Sequence, residues 1–235
     1  MMLRDSETGF VIQSVKDAHE DLMRNWPDDW PRKDNYVIQH DVTLNQYQGF
    51  KELVDTRASE KEIERFLMQN KEVLSLAIFM FSTGHHMSWI FPKEQIRVPS
   101  GDVGGLIPDY VMAGANSDGV QWFVLELKGA DKEAFTKKGK QPSLSPEANK
   151  GVCQLLNYID HSSRDQAYLR DTLGLKNFRE PKGILLIGTD DETEDHVLQN
   201  FKGAWNRMNP NLKIRSYDAL LRQVADKLRS FDRLK

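Results

Sequence analysis

Ile107-Pro108-Asp109-Tyr110 and, after a hairpin, Trp122-Phe123-Val124-Leu125-Glu126-Leu127-Lys128 decide how this chain is read. The spacing predicts two neighbouring strands, with a carboxylate on the first and a Glu-x-Lys on the second. Side chains alternate along a strand, so Glu126 and Lys128 point to one face while Leu125 and Leu127 point to the other. Val120, Trp122 and Val124 share the face of the charged pair, and Phe123 joins the opposite one. Both faces are apolar before the charges begin, as in a strand covered on two sides. An acid and a lysine at the end of such a strand cost free energy unless they are paired or bound to a metal.

The rest of the chain alternates helices and strands, which predicts a layered α/β domain. Ser59-Glu60-Lys61-Glu62 has the capping-box pattern and opens a helix through Asn70, with Ile63, Phe66 and Leu67 as its apolar stripe. At about 100° per residue Glu60 falls roughly 60° from Ile63. It either lines the inward side or simply favours the positive end of the helix dipole. Ser145-Pro146 caps a second helix. Its inward stripe is Ala148, Val152, Leu155, Leu156 and Ile159, and Lys150, Gln154, Asn157 and His161 form a polar face. That face is either solvated or lines a site with Gln154 at its centre.

Further strands are expected over 36–42, 183–188 and 212–215, a helix over 11–25 and a last amphipathic helix over 217–230. Trp26 and Trp30 lie in a proline-rich turn and are read as pinning it to the domain. Residues 1–45 form an N-terminal appendage in this reading. Gly129 to Ser145 reads as a long lysine-bearing loop without hydrophobic period. The glycine-rich 100–105 stretch is taken as a turn and His85-His86 as a loop pair, since neither carries a complete motif. The acids of 190–195 are read as helix capping through Thr189-x-x-Glu192.

The 235 residues suit one core of ordinary size. A single cysteine, Cys153, excludes a disulfide framework and a cysteine-rich zinc site. No apolar run is long enough for a bilayer and the start does not resemble a signal peptide, so the expectation is a cytoplasmic protein without a membrane partner. A net charge of −3 is not that of a dedicated nucleic-acid binder, although nine basic residues oppose three acidic ones from Phe201 onward.

Hydrolysis of a phosphodiester needs charge neutralised on the phosphate and an activated water, and a divalent ion does both. Magnesium prefers a few carboxylates. Asp109 and Glu126 can supply two oxygens and the Leu127 backbone carbonyl a third. Lys128 would then sit beside the water and stabilise charge in the transition state.

Pro108-Asp109 with Glu126-Leu127-Lys128 resembles the PD-(D/E)XK nuclease signature. Five stretches resemble, more specifically, the nuclease domain of the Shedu anti-phage defence family. They are Glu60-x-x-Ile63-x-x-Phe66-Leu67-x-x-Asn70, Ile107 to Val111, Trp122 to Lys128, Gln154-Leu155-x-Asn157-Tyr158, and Ser216-Tyr217-Asp218-x-Leu220-Leu221. The resemblance covers roughly residues 57–225 and departs at Asn70-Lys71, where the family often has Asn-Pro.

It implies a restriction-endonuclease-like fold, a mixed central sheet flanked by helices, over a nuclease domain of residues 46–235. It also implies a DNA endonuclease of prokaryotic defence against phage or plasmid DNA, using Mg2+ or Mn2+. Asp109 and Glu126 would be its metal ligands and Lys128 its catalytic lysine. Gln154 would support the lysine or the scissile phosphate, and Glu60 the outer part of the metal site. Lys132, Lys137, Lys138, Lys140 and Lys150 are the expected DNA contacts, and a homo-oligomer is expected. Two alternatives stand beside this one: another PD-(D/E)XK restriction-type nuclease, and a non-catalytic DNA- or protein-binding module on the same fold.

Overall fold

The computed structural model describes residues 3–4, 11–12, 15–81, 84–97, 104–193, 195–230 and 234. The chain begins with β1 (Leu3–Arg4), β2 (Val11–Ile12), α1 (Val15–Arg24) and β3 (Tyr36–Val37). Three helices follow, α2 (Leu44–Asp55), α3 (Glu60–Gln69) and α4 (Lys71–Ser75), then a 3-10 turn over Leu76–Met80. The central strands are β4 (Met87–Pro92), β5 (Tyr110–Asn116) and β6 (Gly119–Leu127). A small hairpin, β7 (Phe135–Lys138) and β8 (Gln141–Leu144), leads into α5 (Pro146–Arg164) and α6 (Gln166–Asp171). The chain then runs through β9 (Lys182–Leu186), α7 (His196–Met208), β10 (Leu212–Arg215) and α8 (Tyr217–Arg229).

Six strands make the main sheet in the order β10-β9-β6-β5-β4-β3. The β3–β6 half is antiparallel, whereas β6, β9 and β10 run parallel. Alternation then sorts the core into two layers. Phe123, Leu125 and Leu127 of β6 pack with Tyr110, Met112, Ile184 and Leu186 beneath α2, α3 and α8. Trp122 and Val124 join Val111, Ala113 and Leu185 on the other face, under α5. This mixed sheet between two helical layers is a restriction-endonuclease-like architecture, as the sequence implies.

Several expectations change in detail. The 36–42 strand is only Tyr36–Val37, because Gln39–Asp41 closes into a 3-10 turn that buries both Val37 and Val42. The helix expected over 11–25 begins at Val15. The supposed loop of 129–145 contains the β7–β8 hairpin, turned at Gly139 with φ +64°. Leu156 is 53 % exposed and does not belong to the inward stripe of α5, a place taken by Gly151 and Tyr158. The capping box expected at Thr189 is displaced: Asp190–Thr193 is a 3-10 turn, and Asp195 caps α7 by accepting from Val197 N–H at 2.8 Å. Of the 100–105 turn, residues 100–103 lie outside the described residues.

Trp26 and Trp30 do pin their turn, meeting Trp89 of β4 edge to face. The two histidines part ways. His86 is exposed, whereas His85 is buried against Phe123 and its pKa is lowered by that burial.

A side chain added at Gly114 of β5 would place its Cβ 2.7 Å from His85 Nδ1 and 2.8 Å from Ile78 Cδ1. Both neighbours are themselves buried. Gly114→Ala is therefore expected to cost about 1–3 kcal/mol by overpacking. A lowered urea midpoint with unchanged slope would show it, and a wild-type midpoint would refute it.

Candidate active site

The β5–β6 register sets the site. The ladder ends with Tyr110 facing Leu125, and carrying it one step further brings Asp109 to Glu126. Directly opposed residues share a face, with Cβ atoms about 4.5–5.5 Å apart. That face is the one covered by α5, and Asp109 is 9 % exposed, Glu126 4 % and Lys128 5 %.

One further step pairs Leu127 with Pro108, which has no N–H to give. Leu127 N–H donates instead to Asp109 Oδ2 at 2.7 Å. Lys128 N–H turns to β9, donating to Leu186 O at 2.8 Å. The alternation of the ladder therefore aims the Leu127 carbonyl to the β5 side, towards the carboxylates. The Pro-Asp dipeptide thus opens the ladder where the acids converge.

Lys128 Nζ donates to Glu126 Oε1 at 2.8 Å and lies 4.0 Å from Glu60 Oε2. Burial pushes the Glu126 carboxyl well above the usual range, the charge of Asp109 adds to this, and Lys128 opposes it. Burial works against the Lys128 charge, yet the bond to Glu126 and the surrounding acids leave its pKa raised. Glu60 is raised too, first by burial, with Lys128 pulling the other way.

Glu60 opens α3, where Glu62 accepts from Ser59 N–H at 2.9 Å. Ala130 N–H donates to Ala58 O at 3.0 Å and so ties the end of β6 to that helix. Gly129 is closely packed: an added Cβ would displace the Asp131 carboxylate, 1.9 Å away, and press on Glu60 N at 3.1 Å. From the far side, the wholly buried Tyr217 of α8 donates its hydroxyl to Lys128 O at 2.6 Å.

Four residues of this site escaped the sequence reading as participants. Lys93, after β4, donates to Asp109 Oδ1 at 2.5 Å and meets Glu64 Oε1 at 2.7 Å. It holds φ +49°, and its N–H donates to Asp109 O at 3.0 Å. Glu64 follows Glu60 by one helical turn, so the i, i+4 rule could have found it. The same rule links Gln154 to Tyr158, the third. Burial and the charges of Glu126 and Asp109 push the Tyr158 hydroxyl up to about 12, against a hydrogen bond from Gln154. The Tyr158 hydroxyl donates to Ile107 O at 3.4 Å, and the buried Gln154 Oε1 meets no donor among the described residues. Tyr217 is the fourth; its role depends on contact across the whole chain.

The expected DNA lysines are spread out. Lys132 pairs with Asp131 at 2.7 Å and Lys137 pairs with Asp195, whereas Lys138, Lys140 and Lys150 are exposed. Among the described residues no group of three or more His, Cys, Asp or Glu side chains is arranged to hold a metal ion. An ion here would rest on the Asp109–Glu126 pair and a backbone carbonyl.

No curated protein matches the chain. A family profile described as "Shedu protein SduA, C-terminal" matches residues 57–221. That match takes in well over half of the sequence and every side chain of the site, from Glu60 on α3 to Tyr217 on α8, and the chain belongs to the Shedu family, in the C-terminal region of SduA.

Proposed function

We propose that the chain is a metal-dependent DNA endonuclease of the PD-(D/E)XK type. Membership of the Shedu family supports a role in anti-phage defence. Cleavage of phage or plasmid DNA is the activity that this site would bring to it. One observation carries the reading: Asp109 and Glu126 are buried together just beyond the end of the β5–β6 ladder, with Asp109 bonded to Leu127 N–H and Lys128 bonded to Glu126.

The donor set fits a hard divalent cation. Two carboxylates and the Leu127 carbonyl are all oxygen donors, which suits Mg2+ or Mn2+ better than a soft metal. The mutual repulsion of the two acids is the field that a cation relieves. Such an ion, when bound, supplies Lewis acidity and makes water a better nucleophile.

The side chains do the rest. Asp109 and Glu126 would hold the cation, at an Asp109 Oδ1 that Lys93 now neutralises. Lys128 sits where charge grows on the phosphate, fixed from behind by Tyr217 and in front by Glu126. Glu60 keeps the ammonium turned towards the acids. Gln154, held by Tyr158, faces the phosphate with its amide. Lys138, Lys140 and Lys150 add salt-sensitive contacts to the DNA backbone.

We assign this activity to residues 46–235 and treat 1–45 as an appendage, joined to it by β3, which pairs with β4, and by Trp26 and Trp30. A homo-oligomer would present two such sites to two strands. No described helix is long and apolar enough to cross a membrane, and the proposed place of action is the cytoplasm, where the DNA lies.

Supercoiled plasmid incubated with the full chain tests the reading. Relaxed or linear product is expected with Mg2+ or Mn2+ and none in EDTA. Intact plasmid under both conditions would end the nuclease assignment.

A further inference from the structure

At the β10 edge of the sheet, α7, β10 and α8 enclose a cleft of about 520 Å³. Its wall carries Lys202, Arg207, Lys213, Arg215 and Arg222 against a single acid, Asp190. The chain as a whole is net negative, so this concentration of cations is local.

The simplest account is an ion-pair network around Asp190. It covers part of the set. Asp190 accepts from Ser216 Oγ at 2.5 Å and pairs with Arg222 at 2.7 Å and Lys202 at 3.3 Å. Lys213 is taken up by the carbonyls that end α7, those of Asn206 and Asn209. Yet one carboxylate cannot balance five cations. Arg207 is exposed and forms no ion pair among the described residues, and Arg215, whose Nη2 donates to Met80 O at 3.2 Å, has a buried Nε that meets no acceptor among them. Lys213 is held below its ordinary range by burial and by the charges of Arg215 and Lys182. Such crowding of like charge is relieved by an anion.

Position adds a second argument. Because β6, β9 and β10 are parallel, Ser216 and Asp190 lie at the same end of the sheet as Glu126 and Lys128. Two strand spacings separate β10 from β6, about 10 Å. Tyr217 joins the two places: its N–H donates to Gly188 O at 3.0 Å and its hydroxyl to Lys128 O at 2.6 Å.

We infer that this cleft is a phosphate-binding site, with Arg207, Arg215 and Arg222 as its guanidinium donors. Arginine forks suit phosphate oxygens, and the volume admits a phosphate group with its sugar. The phosphate belongs either to the DNA backbone beyond the scissile bond or to a free nucleotide. The first source rests on the proposed nuclease function, whereas the second does not.

Two variants test the site without touching the catalytic residues. Arg207→Gln/Arg222→Gln removes charge. Gly203→Leu fills the cleft, because outside its own helix backbone the described atom near its added Cβ is the movable end of Arg207, at 3.2 Å. Each is first checked for a wild-type melting curve. Binding of a fluorescein-labelled duplex is then followed by anisotropy in EDTA across a salt series. Isothermal titration with inorganic pyrophosphate and with ATP forms the second arm.

If the DNA backbone is the source, both variants bind duplex roughly tenfold more weakly, and the charge variant has a salt slope flatter by about one to two. Cleavage at saturating DNA keeps its rate while KM rises. If a free nucleotide is the source, pyrophosphate or ATP binds the wild type and neither variant, and duplex affinity stays put. Unchanged binding in both arms overturns the site. Absence of cleavage with altered binding would fell the nuclease reading and leave this one standing.

Discussion

Lys128→Ala is expected to lower the single-turnover rate of plasmid cleavage by at least about 10²–10³-fold, the usual cost of losing one donor aimed at developing charge. The side chain is buried, and it pairs with Glu126 at 2.8 Å and, more loosely, with Glu60 at 4.0 Å. Truncation therefore also leaves the Glu126 carboxylate in low dielectric beside Asp109 without a counter-charge. Lys128→Met removes the charge but keeps the volume, so it separates both of these electrostatic losses from the loss of packing. Lys128→Arg should not rescue, because the planar fork cannot act as the compact charge that now sits 2.8 Å from Glu126 and 4.0 Å from Glu60. Duplex affinity in EDTA should stay within a few-fold for all three. Wild-type cleavage by Lys128→Met would remove the lysine from the mechanism.

The second large effect distinguishes the two acids. Asp109→Ala and Glu126→Gln should both abolish cleavage, but only the first should weaken the fold. Asp109 accepts the buried N–H of Leu127 at 2.7 Å and the ammonium of Lys93 at 2.5 Å. Its loss leaves a buried donor without a partner, at a cost of about 1–3 kcal/mol. Glu126 is different, because burial and Asp109 both disfavour its charge. An amide in its place still accepts from Lys128 and relieves the repulsion, so its stability should change by less than about 1 kcal/mol. Urea denaturation of the two variants decides the matter. A Glu126→Gln midpoint as low as that of Asp109→Ala would contradict this account.

The central pair was legible because strand parity is a strict rule. Once β6 was read from its apolar faces, Glu126 and Lys128 had to share a side, and the hairpin to β5 brought Asp109 opposite. Capping chemistry gave the start of α3 and of α5 in the same way. What escaped has its own physics. The β7–β8 hairpin carries only Phe135 and Leu144 as apolar contacts, too few to make a period, and its clue was the lone Gly139 in a lysine-rich turn. Leu156 looked inward because helical spacing tolerates a wide stripe, and the structure resolves it by letting Gly151 approach Leu185 closely. Lys93 could not be foreseen. Its place depends on a left-handed backbone step after Pro92 and on the register of β4 with β5, neither of which leaves a pattern in the residues.

The hydrogen bond from Tyr217 to the Lys128 carbonyl has an outcome for incomplete chains. The strut that steadies the lysine arrives from an element synthesised some ninety residues later. A stalled ribosome or a protease that releases a fragment ending ahead of α8 therefore yields a product lacking that support, along with the α8 half of the layer over β6. On the nuclease proposed above, such a fragment is expected to leave plasmid DNA uncut.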